Sequence, residues 1–502
     1  MMRADQQWQA LQQWQPQQIK SLIDGNAVAR IEQMVKYVAD IRFDFTKTHM
    51  DDAALQLFAN IAAQQNFSDH RRALFAGDIV NISEQRPAEH MAERGDGAPD
   101  SVYHAQMLQH RMRMLVDVIE AEAFGEIRHI LHIGIGGSAL GPSLMIDALA
   151  RDAGRYDVAV VSNVDGAALE EVFKRFDPAH TLVAVASKSF ATSETMVNAV
   201  SALQWLTDHG VEDPIGRFIA MTSEPEKALE WGIDETRVLP FSETVGGRYS
   251  LWSSIGFPVA LALGWEGFSE LLEGAAEMDR HFRLADGTDN ICLLAAFVDQ
   301  LYANRLGAQS RAIFAYDERL RLLPSYLQQL EMESNGKSVT ADGDALTLKS
   351  APVTWGGVGT DAQHAVFQLL HQGTHLVPVE FIVARYPDHG LDDTHHEILV
   401  ANCIAQGAAL MTGRSSENPA RRYPGDRPST TILLENVTPR SLGALIAFYE
   451  HRTFSNAVLL GINPFDQFGV QLGKELASGL TAGTAHFDAA TLALLAAATQ
   501  TE

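Results

Sequence analysis

The chain reads as an α/β protein of two doubly wound lobes with mainly parallel sheets, framed by helical N- and C-terminal segments. Three observations predict this class. From residue 129 onward, short apolar runs alternate with helical stretches, the pattern of a parallel sheet covered on both faces. A Gly-rich turn follows an apolar run in each half, at Gly134-Ile135-Gly136-Gly137-Ser138 and Gly356-Gly357-Val358-Gly359-Thr360. Finally, 502 residues are more than one hydrophobic core organises, so two large lobes are expected.

The elements follow in order. Residues 1–95 read as helical, with Trp8, Leu11 and Trp14 at helical spacing and Leu55, Leu57, Phe58 and Ile61 further on; this segment is expected to pack on the larger lobe. Gly95-Asp96-Gly97-Ala98-Pro99-Asp100 marks a linker. The first, smaller lobe is expected over 101–265, with strands at 129–133, 157–162, 181–186 and 217–221 and a helix from Gly141. The second, larger lobe is expected over 266–460, with strands at 352–355, 377–382 and 430–434 and a helix through 361–371. Residues 461–502 form a C-terminal segment. It follows a last strand-like run at 457–462 and ends in an Ala/Leu-rich closing helix.

Composition narrows the function. Hydrophobic residues make up 46% and charged residues 20%, the balance of a globular protein. The net charge of −25, from 63 acidic against 38 basic residues, argues against nucleic acid, which rewards a basic surface. An acidic protein that binds an anion needs a local cradle for it. The polar, Gln-rich start predicts no secretion, no apolar run reaches the roughly 18 residues that span a bilayer, and a cytoplasmic location is expected. Cys292 and Cys403 lie far apart and match no ligand spacing; they read as buried free thiols. His371 and His375 are spaced HxxxH, but Gly373 interrupts them, so no metal site is expected.

Four segments carry chemistry. Ser187-Lys188-Ser189 follows a strand and precedes a helix, and Ser189, Thr192 and Thr195 recur every three residues. Hydroxyls on one side of a helix start, unpaired N–H groups and a cation are the parts of a phosphate cradle. Ordinary Ser/Thr capping explains one such hydroxyl, not three with a Lys. Gly246-Gly247-Arg248 brings a planar cation beside backbone that can enter a tight site. In Gln329-Leu330-Glu331-Met332-Glu333, pattern alone does not separate the two carboxylates. Lys474 closes the fourth segment, Asp466-Gln467-Phe468-Gly469-Val470-Gln471-Leu472-Gly473-Lys474. The turn Gly134-Ile135-Gly136-Gly137-Ser138-Ala139 also matches the GxGxxA form of a dinucleotide fingerprint. That fingerprint wants an acidic residue at the end of the next strand, and Asp165 arrives late; a turn that approaches a sugar or its phosphate fits the same glycines.

Together these segments closely resemble the glucose-6-phosphate isomerase family over nearly the whole chain. The most specific stretches are Glu243-Thr244-Val245-Gly246-Gly247-Arg248-Tyr249-Ser250-Leu251-Trp252-Ser253-Ser254-Ile255-Gly256 and Gly461-Ile462-Asn463-Pro464-Phe465-Asp466-Gln467-Phe468-Gly469-Val470-Gln471-Leu472-Gly473-Lys474. The resemblance implies two αβα sandwich lobes of the sugar-isomerase type, assembled as a homodimer. It implies Glu333 as the base that moves a proton between C1 and C2. It also implies His364, supplied by the neighbouring subunit, and Lys474 for ring opening, and Arg248 for the enediolate. Ser187, Lys188, Ser189, Thr192 and Thr195 would hold the phosphate, with Gly137, Ser138, Gln329 and Gln467 around the sugar. Ser189, Ala191 and Ser193 depart from the usual Thr, Thr and Gln, and a hydroxyl survives at 189. Phe468 and Gln471 replace a usual Trp and Glu near Lys474.

The implied reaction is redox-neutral, so neither nicotinamide nor metal is expected. One carboxylate can serve both carbons on one face of a cis-enediol, and a fixed cation can carry the charge that builds on oxygen. An NAD(P)-dependent oxidoreductase would leave Glu333, Lys474 and the Ser-Lys-Ser cradle unexplained. A non-catalytic sugar-phosphate sensor would tend to lose the base or the Lys, and this chain keeps both.

Overall fold

The structure is a computed structural model that describes residues 3–151, 154–482 and 487–499. The chain forms two compact units, one ending at Pro464 and one beginning at Phe465. The strands of the first unit are β1 (Val35–Val38), β2 (Ile41–Asp44), β3 (His129–Gly134), β4 (Asp157–Val161), β5 (Thr181–Ala186), β6 (Phe218–Thr222), β7 (Val238–Pro240), β8 (Ser310–Tyr316), β9 (Val353–Val358), β10 (Val379–Ala384) and β11 (Ser429–Leu434). They build a five-stranded sheet, β4-β3-β5-β6-β7, and a six-stranded sheet, β1-β2-β11-β10-β8-β9. Every pairing in the first sheet is parallel. In the second, β8 to β11 pair in parallel, while β2 joins β11 antiparallel and β1 closes the edge as a hairpin partner of β2. The expected α/β class with mainly parallel sheets is therefore borne out.

Burial explains why the strands read as unbroken apolar runs. All six residues of β5 and of β10 are buried, as are six of seven in β8. Such strands are covered on both faces, and alternation disappears. The segment Phe257–Leu284, broken at Gly264 (φ 73°, ψ 164°), packs against the helix Pro439–Leu460, which meets the second sheet through Phe448 on Phe43 and Tyr449 on Glu380. A Cβ on Gly274 would lie 1.8 Å from the Arg440 carbonyl oxygen, and one on Gly443 would lie 2.0 Å from that of Leu271. The two backbones touch there, and only glycine allows it. Ser254–Leu284 is long and apolar enough by composition to cross a membrane, although Glu266, Glu270 and Glu273 interrupt its apolar run. Over half of that window is buried inside the protein, as in the core helix of a globular fold.

Several expected elements differ. The N-terminal segment is not wholly helical, because β1 and β2 lie within it. Their turn places Ala39 and Asp40 at φ 51° and 57°, a two-residue hairpin geometry usually signalled by Asn-Gly, so the sequence hid it. The run at 457–462 is not a strand but the last turn of Pro439–Leu460, stopped by Gly461 at φ 68°. Short apolar runs do not distinguish a buried helix from a strand. The helix expected from Gly141 begins at Gly137. The second Gly-rich run is partly strand: Gly356 and Gly357 lie in β9, and a Cβ on Gly356 would sit 1.8 Å from the Ile313 carbonyl oxygen. Strands β7 and β8 were not foreseen.

The second unit contains a short 3-10 turn at Phe468–Val470 and helices at Gln471–Ala482 and Ala489–Thr499. Lys474 stands in the first turn of the former, Gln467 just before the 3-10 turn. The Ala489–Thr499 helix matches the expected closing helix.

Candidate active site

Two glycine turns meet to make the floor of the site. After β3 the chain turns through Gly136 at φ 58° into the Gly137–Leu149 helix. A Cβ on Gly137 would lie 2.1 Å from the Gly247 carbonyl oxygen and 2.6 Å from the Arg248 nitrogen. A Cβ on Gly136 would lie 2.9 Å from the Gln329 side-chain nitrogen. Gly137, Gln329 and Arg248, far apart in sequence, are thus neighbours because two positions lack a side chain. Ser138 follows in the first helical turn, its carbonyl accepting a 2.7 Å hydrogen bond from His132 Nε2. Burial holds His132 down at about 4, so it stays a neutral donor.

Arg248 is 4% exposed. Its Nε donates to Ser334 Oγ at 2.6 Å, its Nη2 donates to the Pro464 carbonyl oxygen at 2.5 Å, and its Nη1 lies 3.9 Å from Glu333 Oε1. Glu333 ends a π-helical turn at Gln328–Glu333, and its Oε2 is buried without a hydrogen-bond partner. Glu331, the carboxylate that pattern could not tell from it, is spent on structure. It accepts from Arg311 Nη2 and, at 2.6 Å, from Thr354 Oγ1. Arg311 and Arg452 continue this buried network through Asp299 and Glu380. One carboxylate is fully used and the other keeps an idle oxygen beside a guanidinium. That difference is tertiary.

The Ser-Lys-Ser segment leaves the end of β5, where the Ser187 N–H donates to the Met221 carbonyl, and reaches the Ser193–Asp208 helix through Phe190 at φ 46°. Ser187 Oγ and Thr192 Oγ1 are 3.1 Å apart. Thr195 is 2% exposed, and its Oγ1 is buried without a partner. Ser189 is exposed at the mouth of the loop. Three of the four expected hydroxyls therefore gather at one helix N-terminus, where first-turn N–H groups are also available. Lys188, expected at the phosphate, also bridges two loops. Its Nζ donates to the Glu243 and Val245 carbonyls at 2.7 and 3.1 Å, tying this loop to the one that carries Arg248. Burial, with Arg86 nearby, pulls it down to about 8.

His364 lies exposed on the Gly359–Gln372 helix. Lys474 and Gln467 belong to the second unit. Among the described residues no His, Cys, Asp and Glu group has the makings of a metal site, and both cysteines are buried free thiols. Asp165, the late acidic residue of the dinucleotide alternative, caps the Gly166–Arg175 helix by accepting from the Ala167 N–H. Reading the sequence missed Ser334 and Tyr249. Tyr249 Oη lies 3.0 Å from Ser334 Oγ, and its ring stacks on His90 at 4.6 Å. Both stand inside segments singled out for Arg248 and Glu333, but nothing in the pattern marked their hydroxyls.

Two doubly wound sheets thus carry a hydroxyl-lined helix start, tied through Lys188 to a loop where a guanidinium faces a carboxylate. The comparisons are sharper. The family model described as phosphoglucose isomerase matches residues 44–495, and the chain belongs to that family. A glucose-6-phosphate isomerase of Sphingopyxis alaskensis is 73% identical over 495 residues, covering 99% of each chain. Its counterpart in Zymomonas mobilis subsp. mobilis is 61% identical over 496 residues, 98% of each. A crystal structure of a glucose-6-phosphate isomerase from Chlamydia trachomatis superposes with a TM-score of 0.91 at 32% identity, covering 98% of this chain and 99% of that one.

Proposed function

We propose that the protein interconverts glucose 6-phosphate and fructose 6-phosphate, a step shared by glycolysis and gluconeogenesis. The observation that carries this reading is Glu333, with one buried oxygen unpartnered and the other 3.9 Å from Arg248 Nη1. The phosphate would rest on Ser187, Ser189, Thr192 and Thr195, with the N–H groups of the Ser193–Asp208 helix start. Lys188 would help by holding the cradle's loop. Gly137, Ser138, Gln329 and Gln467 would surround the sugar.

In this reading His364 and Lys474 open the ring by moving a proton between the C1 hydroxyl and the ring oxygen. Glu333 then removes the C2 proton and returns it to C1 on the same face, which gives the ketose through a cis-enediol. Negative charge gathers on oxygen during transfer, and Arg248, already fixed, answers it without reorganisation; loss of one such donor costs about 3–4 kcal/mol. Phosphate binding far from C1 supplies orientation. The cycle moves protons only, so no redox group or metal is called for. We further propose a homodimer in which each His364 serves the neighbouring subunit's site, and a cytoplasmic location.

The test is conversion of glucose 6-phosphate by purified protein beside Glu333→Gln. Loss of at least roughly a thousandfold in kcat with substrate binding kept supports the reading. Binding without turnover by the wild type would favour a sugar-phosphate sensor instead.

A further inference from the structure

Ser334 has no exposed surface and directly follows Glu333. Its hydroxyl stands between two partners, accepting from Arg248 Nε at 2.6 Å and lying 3.0 Å from Tyr249 Oη. Tyr249 is 2% exposed and cannot swing away. Its ring stacks on His90 with centroids 4.6 Å apart and 27° between planes, and the guanidinium carbon of Arg248 lies 5.5 Å from its centroid. His90 is buried in turn, with Nε2 4.0 Å from Glu450 Oε2. The guanidinium is therefore pinned at its Nε edge by Ser334 and at Nη2 by the Pro464 carbonyl.

What this pinning prevents is visible in the remaining distance. A buried guanidinium and carboxylate normally close to a charge-assisted, often bidentate pair at about 2.7–2.9 Å. Here Arg248 Nη1 and Glu333 Oε1 stand 3.9 Å apart, beyond hydrogen-bond range. An Arg that closed on Glu333 would neutralise the base and withdraw its charge from the substrate. We propose that Ser334 and Tyr249 are positioning residues, whose paired hydroxyls hold Arg248 off Glu333 and keep its charge aimed where the enediolate forms. This rests on the proposed roles of Glu333 and Arg248. It adds a distinct claim: two hydroxyls set the rate through the guanidinium they position.

The experiment compares wild type, Ser334→Ala, Tyr249→Phe and Glu333→Gln by steady-state kinetics. Affinity is measured for two inhibitors, an aldonate phosphate with a carboxylate where the enediolate would form and the corresponding polyol phosphate, which lacks that carboxylate. Tyr249→Phe keeps the ring stack and removes only the hydroxyl, so it reports even if Ser334→Ala folds poorly. Each positioning variant is expected to lower kcat by at least about tenfold, with KM within about twofold. Each should weaken the carboxylate inhibitor by a similar factor and leave the polyol phosphate unchanged. Equal loss of both inhibitors, or unchanged kcat in Tyr249→Phe with Glu333→Gln inactive, overturns the positioning role alone. Near wild-type turnover in Glu333→Gln overturns the base assignment and this proposal with it.

Discussion

Glu331 and Glu333 stand two positions apart on one π-helical turn and meet opposite surroundings. Glu331 closes a buried network with Arg311 and Thr354, while Glu333 keeps one oxygen idle beside Arg248. Their Gln variants should separate cleanly. Glu333→Gln loses turnover and keeps its stability, whereas Glu331→Gln leaves Arg311 under-compensated and costs about 2–3 kcal/mol in denaturant unfolding. A stable Glu331→Gln would sink the structural assignment. Glu93 offers a pH test at the same scale. It is 3% exposed, and burial raises its carboxyl from the ordinary 4.5 to about 8, opposed by the Gln109 amide. Folded protein thus keeps a proton there that the unfolded chain has released, so this group's contribution to stability falls as pH rises from about 4.5 to about 8. Glu93→Gln should melt higher than wild type at pH 8, and the difference should vanish near pH 4.5. Calorimetry at both values checks it, and an equal gap at both would refute the assignment.

Elements are placed by glycines whose role is invisible in periodicity. Gly274 and Gly443 let two long helices touch backbone to backbone. An Ala at either position should cost more than about 2 kcal/mol, measured by thermal unfolding, and the double variant should cost less than the sum because both act on one crossing. Gly137 stands against Gly247 and Arg248 in the same way, so Gly137→Ala should shift the Arg248 loop. Kinetics on a variant that still melts cooperatively should show kcat falling before stability does; unchanged turnover would mean the loop gives way freely. Lys188 shows how an element can redirect a residue. Its sequence neighbours suggest a phosphate cation, and its ammonium also braces the 243–245 backbone.

At the scale of the whole molecule, the proposed dimer has a sharp test. Neither Glu333→Gln nor His364→Ala alone should be active. Unfolded together and refolded, they form mixed dimers in which one of two sites regains both residues. Random assortment then restores about a quarter of wild-type activity. No recovery in dimers shown to be mixed would place His364 within its own subunit's site. The strongly acidic surface gives no general attraction for an anionic sugar phosphate, so affinity should depend on the local cradle. Thr195→Val, which removes a buried hydroxyl at the helix start, should raise KM more than it lowers kcat.

Much of this protein was legible in its sequence because the signals are local. Apolar runs marked β3, β4, β5, β6, β10 and β11, since strands buried on both faces tolerate little else. Gly-Gly-Arg, Ser-Lys-Ser and the Glu-Met-Glu segment marked the candidate site, since close backbone approach and anion contact restrict residue choice to a few types. The hairpin β1–β2 escaped because Ala39-Asp40 adopts a turn that usually asks for Asn-Gly, and the run at 457–462 escaped because a buried helix and a buried strand are equally apolar. The sequence by itself determined the fold class and the chemical inventory. Tertiary structure alone decided which carboxylate is idle, which backbone Lys188 braces and what holds Arg248 in place, because each depends on partners 20 to 216 positions away.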